Sequence, residues 1–122
     1  MILIGCSPAK KESDWIELFD GVSIDGWVAT SEANWLVEEG AITVSEGPAG
    51  FLTYETGLED FELTVDFRAG AETNSGVFVS FDEEPTDPSI DCYEINIAPP
   101  DNPFPTGSIV ARVRISPEVA AD

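Results

Sequence analysis

The stretch Asn74-Ser75-Gly76-Val77-Phe78-Val79-Ser80-Phe81, with Cys92-Tyr93-Glu94-Ile95-Asn96-Ile97 after an acidic, proline-bearing loop, decides the fold class. Both segments change residue type with a period of two, the repeat of a strand with one face in a core and one face outward. Val77, Val79 and Phe81 are inward in the first, with Gly76, Phe78 and Ser80 opposite. In the second, Tyr93, Ile95 and Ile97 make the apolar row, while Cys92, Glu94 and Asn96 point the other way. A carboxylate and an amide therefore stand side by side on one sheet face, and chemistry is expected there.

The alternation extends to both sides. Phe61, Leu63, Val65 and Phe67 face away from Glu62, Thr64, Asp66 and Arg68, as in an antiparallel sheet with one solvated face. Residues 15–19, 35–37, 41–44, 51–54 and 106–115 read as further strands, the second and third forming a hairpin with Gly40 supplying a positive φ. Residues 99–105 carry four prolines and are irregular. With no helical period and no internal repeat, the expected class is all-β, two packed antiparallel sheets.

At 122 residues and 43% hydrophobic the chain fits one domain with a packed core. The net charge of -19 repels phosphate backbones and anionic headgroups, which argues against nucleic acid as a partner. Histidine is absent, removing the commonest general base and transition-metal ligand. Met1-Ile2-Leu3-Ile4-Gly5-Cys6 ends in a resemblance to the lipobox of bacterial lipoproteins, although a charged leader and most of its apolar region are missing. It implies lipidation at Cys6, residues 1–6 as the remnant of a signal peptide, 7–14 as a tether and 15–122 as the domain. Membrane contact would then be through an N-terminal lipid only, with an extracytoplasmic location in the periplasm or at the outer membrane.

Six motifs in order carry a second resemblance: Leu18-Phe19-Asp20-Gly21 with Gly26-Trp27; Trp35-Leu36-Val37-Glu38-Glu39-Gly40; Asp60-Phe61-Glu62-Leu63 with Phe67-Arg68; Asn74-Ser75-Gly76-Val77-Phe78; Tyr93-Glu94-Ile95-Asn96-Ile97; and Thr106-Gly107. Together they resemble the 3-keto-disaccharide hydrolase domain, also described as a 3-keto-glycoside lyase or hydratase domain. The resemblance implies a concanavalin A-like jelly-roll sandwich with a carbohydrate site on its concave sheet. Two departures stand out. Many members carry arginine where Ser80 stands here, and the family domain continues with further strands beyond the position of Asp122, so an incomplete jelly roll is expected.

Glu94 is the candidate catalytic residue: a carboxylate in a partly dry groove can be raised in pKa towards general-base range, the alternative being a solvated or salt-bridged strand glutamate. Asn96, Arg68, Asp66 and Phe78 are the candidate substrate-binding residues. Asp66 and Arg68 either pair with each other or orient Glu94 and hold sugar hydroxyls. Phe78 is either a stacking platform for a sugar ring or covered by a loop. Cys92, with no histidine to activate it, reads as a small packed side chain. Asp82, Glu83, Glu84, Asp87 and Asp91 crowd one loop, which leaves a divalent metal open as a cofactor, although their spacing matches no calcium loop. No other cofactor is evident. The resulting expectation is a hydrolase or lyase acting on oxidised disaccharides and other 3-keto-glycosides by carboxylate-assisted elimination and hydration. The alternative is a non-catalytic carbohydrate-binding module, because concave β faces also bind glycans without chemistry.

Overall fold

A computed structural model describes residues 2–7, 15–81, 85–87, 89–116 and 118 of the chain. Every named element in them is a strand: β1 (Ile2–Ser7), β2 (Ile16–Glu17), β3 (Val28–Ala29), β4 (Leu36–Glu38), β5 (Ala41–Thr43), β6 (Leu52–Thr53), β7 (Glu62–Phe67), β8 (Ser75–Val79) and β9 (Tyr93–Ile97). All pair antiparallel. The chain divides into two compact units, Met1–Arg68 and Ala69–Asp122.

In the first unit β1, β2, β4, β5 and β7 form one sheet, and β3 pairs β6 in a separate short ladder. β1 pairs β7 along its whole length, from Ile2 opposite Phe67 to Ser7 opposite Glu62. Its other edge takes β2 at Cys6 opposite Ile16, and β5 at Ile2 opposite Ile42. The apolar run that resembles a lipobox thus lies within a strand. Isoleucines at alternate positions suit that role as well, since β-branched side chains fit a pleated surface. Of the expected tether, residues 8–14 lie outside the described residues.

The β4–β5 hairpin turns through Glu39 at φ 52° and Gly40 at φ 77°. Two consecutive positive φ values make the two-residue loop whose twist matches that of its strands. It leads into Ala41 and Ile42, which are buried, as are Leu18 and Phe19. The long loop after Phe19 is tied at three points. The Asp20 carboxylate accepts from the N–H groups of Val22 and Ser23 at 2.8 and 2.9 Å. Trp27 Nε1 donates to the Leu18 carbonyl at 2.9 Å, and its ring meets Tyr54 edge-on, centroids 5.2 Å apart. These contacts give physical roles to Asp20-Gly21 and Gly26-Trp27.

The apolar face of β7 is less covered than its alternation suggests. Leu63 and Val65 are half-buried, but Phe61 is 36% and Phe67 44% exposed. A sheet face loses its water only against a second layer, and among the described residues of the first unit the main sheet is joined only by the two-residue ladder of β3 and β6.

In the second unit β8 and β9 pair from Ser75 opposite Ile97 to Val79 opposite Tyr93. Ser80, at φ 60°, ends β8. The alternation of residues 106–115 does not make a strand. Ile109 bridges both Ile95 and Val113, and the chain reverses through Ala111 at φ 59°. The Ile109 N–H donates to the Val113 carbonyl at 2.8 Å, and the Val113 N–H returns to Ile109 at 2.9 Å. Alternation alone could not distinguish this tight reversal from a straight strand, because both place apolar groups at every second residue.

Candidate active site

The site is built on β9, which is hydrogen-bonded along both edges. β8 lies on one side. On the other, the Asn96 N–H donates to the Ser108 carbonyl at 2.9 Å, the Gly107 N–H to the Asn96 carbonyl at 2.9 Å, and the Val110 N–H to the Glu94 carbonyl at 3.0 Å. The backbone of Glu94 is therefore held at the centre of a three-segment sheet.

Glu94 stands directly opposite Phe78, and Asn96 opposite Gly76. Partners facing each other in an antiparallel pair share a sheet face, so these four occupy one face. That face was expected to point outward with Cys92 packed on it; in the structure Cys92 is 2% and Asn96 4% exposed, while Glu94 and Phe78 are half-buried. The cover over Asn96 is the proline loop. Asn96 Nδ2 donates to the Phe104 carbonyl. Thr106 Oγ1 accepts from the Ala98 N–H at 3.0 Å and donates to the Ala98 carbonyl at 2.9 Å. Pro105, within the loop, and Ser108, just after it, are fully buried. Thr106-Gly107 is thereby explained: the hydroxyl clamps the loop to the end of β9, and Gly107, at φ 87°, makes the turn that returns its N–H to Asn96.

The acidic groups separate by environment. Hydrogen bonds from Ser89, hydroxyl first and then N–H, pull the Asp87 carboxyl below its ordinary range, and the Thr86 N–H does the same for Asp91. Asp91 accepts from the Thr86 N–H and hydroxyl at 3.0 and 3.1 Å and from the Asp87 N–H at 3.1 Å, so both aspartates cap a turn. Glu94 goes the other way. Burial pushes its carboxyl above the ordinary glutamate range. A carboxylate raised by desolvation, with no donor to it among the described residues, has the character of a base awaiting a proton. The Cys92 thiol is pushed up by burial and by the negative charges of Asp91 and Glu94, which keeps it protonated and unreactive.

Asp82, Glu83 and Glu84 lie outside the described residues. Among the described residues no three acidic or cysteine side chains converge as a metal site. Asp66 and Arg68 belong to the first unit, where both are exposed. Arg68 lines a shallow cavity of about 370 Å³ with Glu38, Glu39, Ala41 and Thr43. What sequence reasoning missed is Gly76, whose bare Cα faces the Glu94 side chain. A glycine inside a strand was the available signal.

The chain matches the family described as the 3-keto-alpha-glucoside-1,2-lyase-like domain over residues 14–122. It belongs to that family. Membership implies a glycoside-acting function and a carbohydrate substrate, in agreement with the resemblance carried by the six motifs. No curated protein matches the chain, and no solved structure does. Within this 3-keto-glucoside lyase-like domain, Tyr93-Glu94-Ile95-Asn96-Ile97 is the strand that carries the desolvated carboxylate, and Asn74-Ser75-Gly76-Val77-Phe78 supplies the strand it pairs with.

Proposed function

We propose that the protein cleaves 3-keto-glycosides by elimination followed by hydration, with Glu94 as the base. The observation that carries this is the half-buried Glu94 carboxylate, raised by burial, on a strand of a lyase-like domain. A ketone at C3 of a sugar acidifies the hydrogen at C2. Glu94 takes that proton, the C–H electron pair passes into the enolate, and the enolate then expels the glycosidic oxygen from C1, which takes the proton back from Glu94 and leaves as the aglycone alcohol, with a C1=C2 double bond left in the sugar. Water adds across this bond, its hydroxyl to C1 and its proton to C2, so the net reaction is hydrolysis. Phe78, opposite Glu94 on the same face, offers a ring against which a sugar can stack. Asn96, buried and committed to the Phe104 carbonyl, holds the wall of the site and is assigned no contact with the sugar. Asp66 and Arg68 are assigned to no step.

The test is proton exchange. The chain incubated with a 3-keto-disaccharide in D2O should place deuterium at C2 and release the aglycone. Binding without exchange or cleavage would instead identify a carbohydrate-binding module. For the architecture, we propose the concanavalin A-like jelly roll that the six motifs imply, of which the antiparallel units described above would be parts.

We further propose a lipid-anchored, extracytoplasmic location, supported by the lipobox-like residues 3–6. Processing before Cys6 would remove residues 2–5, and with them the partners of Thr64, Val65, Asp66 and Phe67 on β7. Intact mass therefore separates two forms of the protein. In a host that processes lipoproteins, the expected product begins at a lipidated Cys6, partitions with membranes and becomes soluble on Cys6→Ser. A product that keeps residues 1–5, equally soluble with either residue, would show that this segment is a strand of the domain and not a leader.

A further inference from the structure

Gly76 sits in β8 opposite Asn96, with no positive φ to explain a glycine there. Glycine weakens a strand, having no side chain to pack and the most freedom to lose, so the position calls for another cause. Space supplies it. A Cβ built on Gly76 would lie 2.8 Å from Glu94 Cγ, 2.8 Å from Glu94 Oε1 and 3.1 Å from the Ile95 carbonyl oxygen. The Glu94 side chain thus leans diagonally across the pair and occupies the volume that any other residue at position 76 would fill.

We propose that Gly76 is a positioning residue: its missing side chain is the slot that holds the Glu94 carboxylate down on the sheet, in the orientation from which it takes the substrate proton. The slot also accounts for the partial burial of a carboxylate on a strand whose neighbouring rungs are Gly76–Asn96 and Phe78–Glu94. Of the three close approaches two are to the Glu94 side chain, at Cγ and Oε1, which rotation about its Cα–Cβ bond can carry away, and one, the less severe, is to backbone. An added methyl would therefore displace Glu94 into water rather than part the strands. The catalytic half of this proposal rests on Glu94 being the base, but the slot itself can be measured without turnover.

The experiment is Gly76→Ala, read first by the 13C chemical shift of the Glu94 carboxyl through a pH titration, with Glu94→Gln identifying the resonance. The parent should titrate above an ordinary glutamate, and Gly76→Ala should return the midpoint to the ordinary value. An unchanged midpoint overturns the slot. The second reading is kinetic: kcat on a 3-keto-disaccharide should fall by about 100-fold, as a displacement of the order of 1 Å can cause, with KM little changed and the acidic limb of the pH profile moving down with the titration. If the midpoint moves and kcat does not, the slot stands and Glu94 is not the base. Should Gly76→Ala fold poorly, the same substitution in a Glu94→Ala background decides. Removing the Glu94 side chain should relieve most of the loss in Tm, and an equal loss in both backgrounds overturns the proposal.

Discussion

Glu94→Gln is expected to lower turnover of a 3-keto-glycoside by about 100-fold or more while leaving the folded chain at least as stable at neutral pH. The two halves have one cause. Burial raises the Glu94 carboxyl above its ordinary range, so the fold prefers its protonated form. An acid whose folded pKa is raised contributes stability that is fully present below the unfolded pKa and is lost as pH rises through the folded one. At neutral pH the parent carries the ionised, less favoured form, and glutamine, a neutral mimic of the acid, removes that penalty. The Tm of Glu94→Gln relative to the parent should therefore increase on going from pH 4 to pH 7. Glu55→Gln, at an exposed position, removes the same formal charge and provides the control for general repulsion in a chain of net charge -19. A glutamate retained for a structural ion pair would behave in the opposite way, losing stability at neutral pH when neutralised. Loss of stability with unchanged turnover would sink the assignment of Glu94 as base.

How much of this was legible beforehand depends on whether a feature is local. The place of β9, read one residue too long at Cys92, the turn at Gly40 and the antiparallel class follow from residue period and from φ preference, which are properties of a few neighbouring residues. The candidate base was legible for the same reason, because strand parity puts Glu94 on the non-apolar face. The covering of that face was not. Cys92, Glu94 and Asn96 read as one outward row with Cys92 packed, yet the loop that carries Phe104 folds back over Asn96 and buries it as well. Parity says which residues share a face and nothing about what lies on it. Tyr93 shows the converse: on the apolar row it remains 47% exposed, with the Arg112 guanidinium 4.4 Å from its ring centroid. An arginine over an aromatic face is favourable even at a wet site. The N-terminal run was ambiguous in another way, since alternating isoleucines suit a strand and an apolar leader equally.

Asn96→Asp carries the second large effect, and it tests whether the wall beside Glu94 depends on one hydrogen bond. The substitution keeps the shape of the side chain but replaces the donor facing the Phe104 carbonyl by an oxygen, at a position only 4% exposed. When ionised, the new carboxylate is a buried charge opposed to a carbonyl, with a cost of about 3–5 kcal/mol, a large share of the about 5–15 kcal/mol that holds a whole domain folded. Asn96→Ala leaves the Phe104 carbonyl without a donor and should cost less, about 1–3 kcal/mol. Acid separates the two variants. Burial will raise the folded pKa of Asp at this position above its unfolded value, so the stability of this variant is present at low pH and lost as pH rises through the folded value. Below that value the neutral acid has an O–H to donate to Phe104, as the amide did. Melting curves should show Asn96→Asp far below the parent at pH 7 and close to it near pH 4, with the deficit of Asn96→Ala nearly constant between them. Turnover should fall along with the wall, because the segment that covers Asn96 continues into residues 107–110, whose N–H groups grip the backbone of β9 at Asn96 and Glu94. A deficit in Asn96→Asp that does not change with pH would mean that the Phe104 carbonyl is not what the amide holds, and the proline loop would then need another anchor.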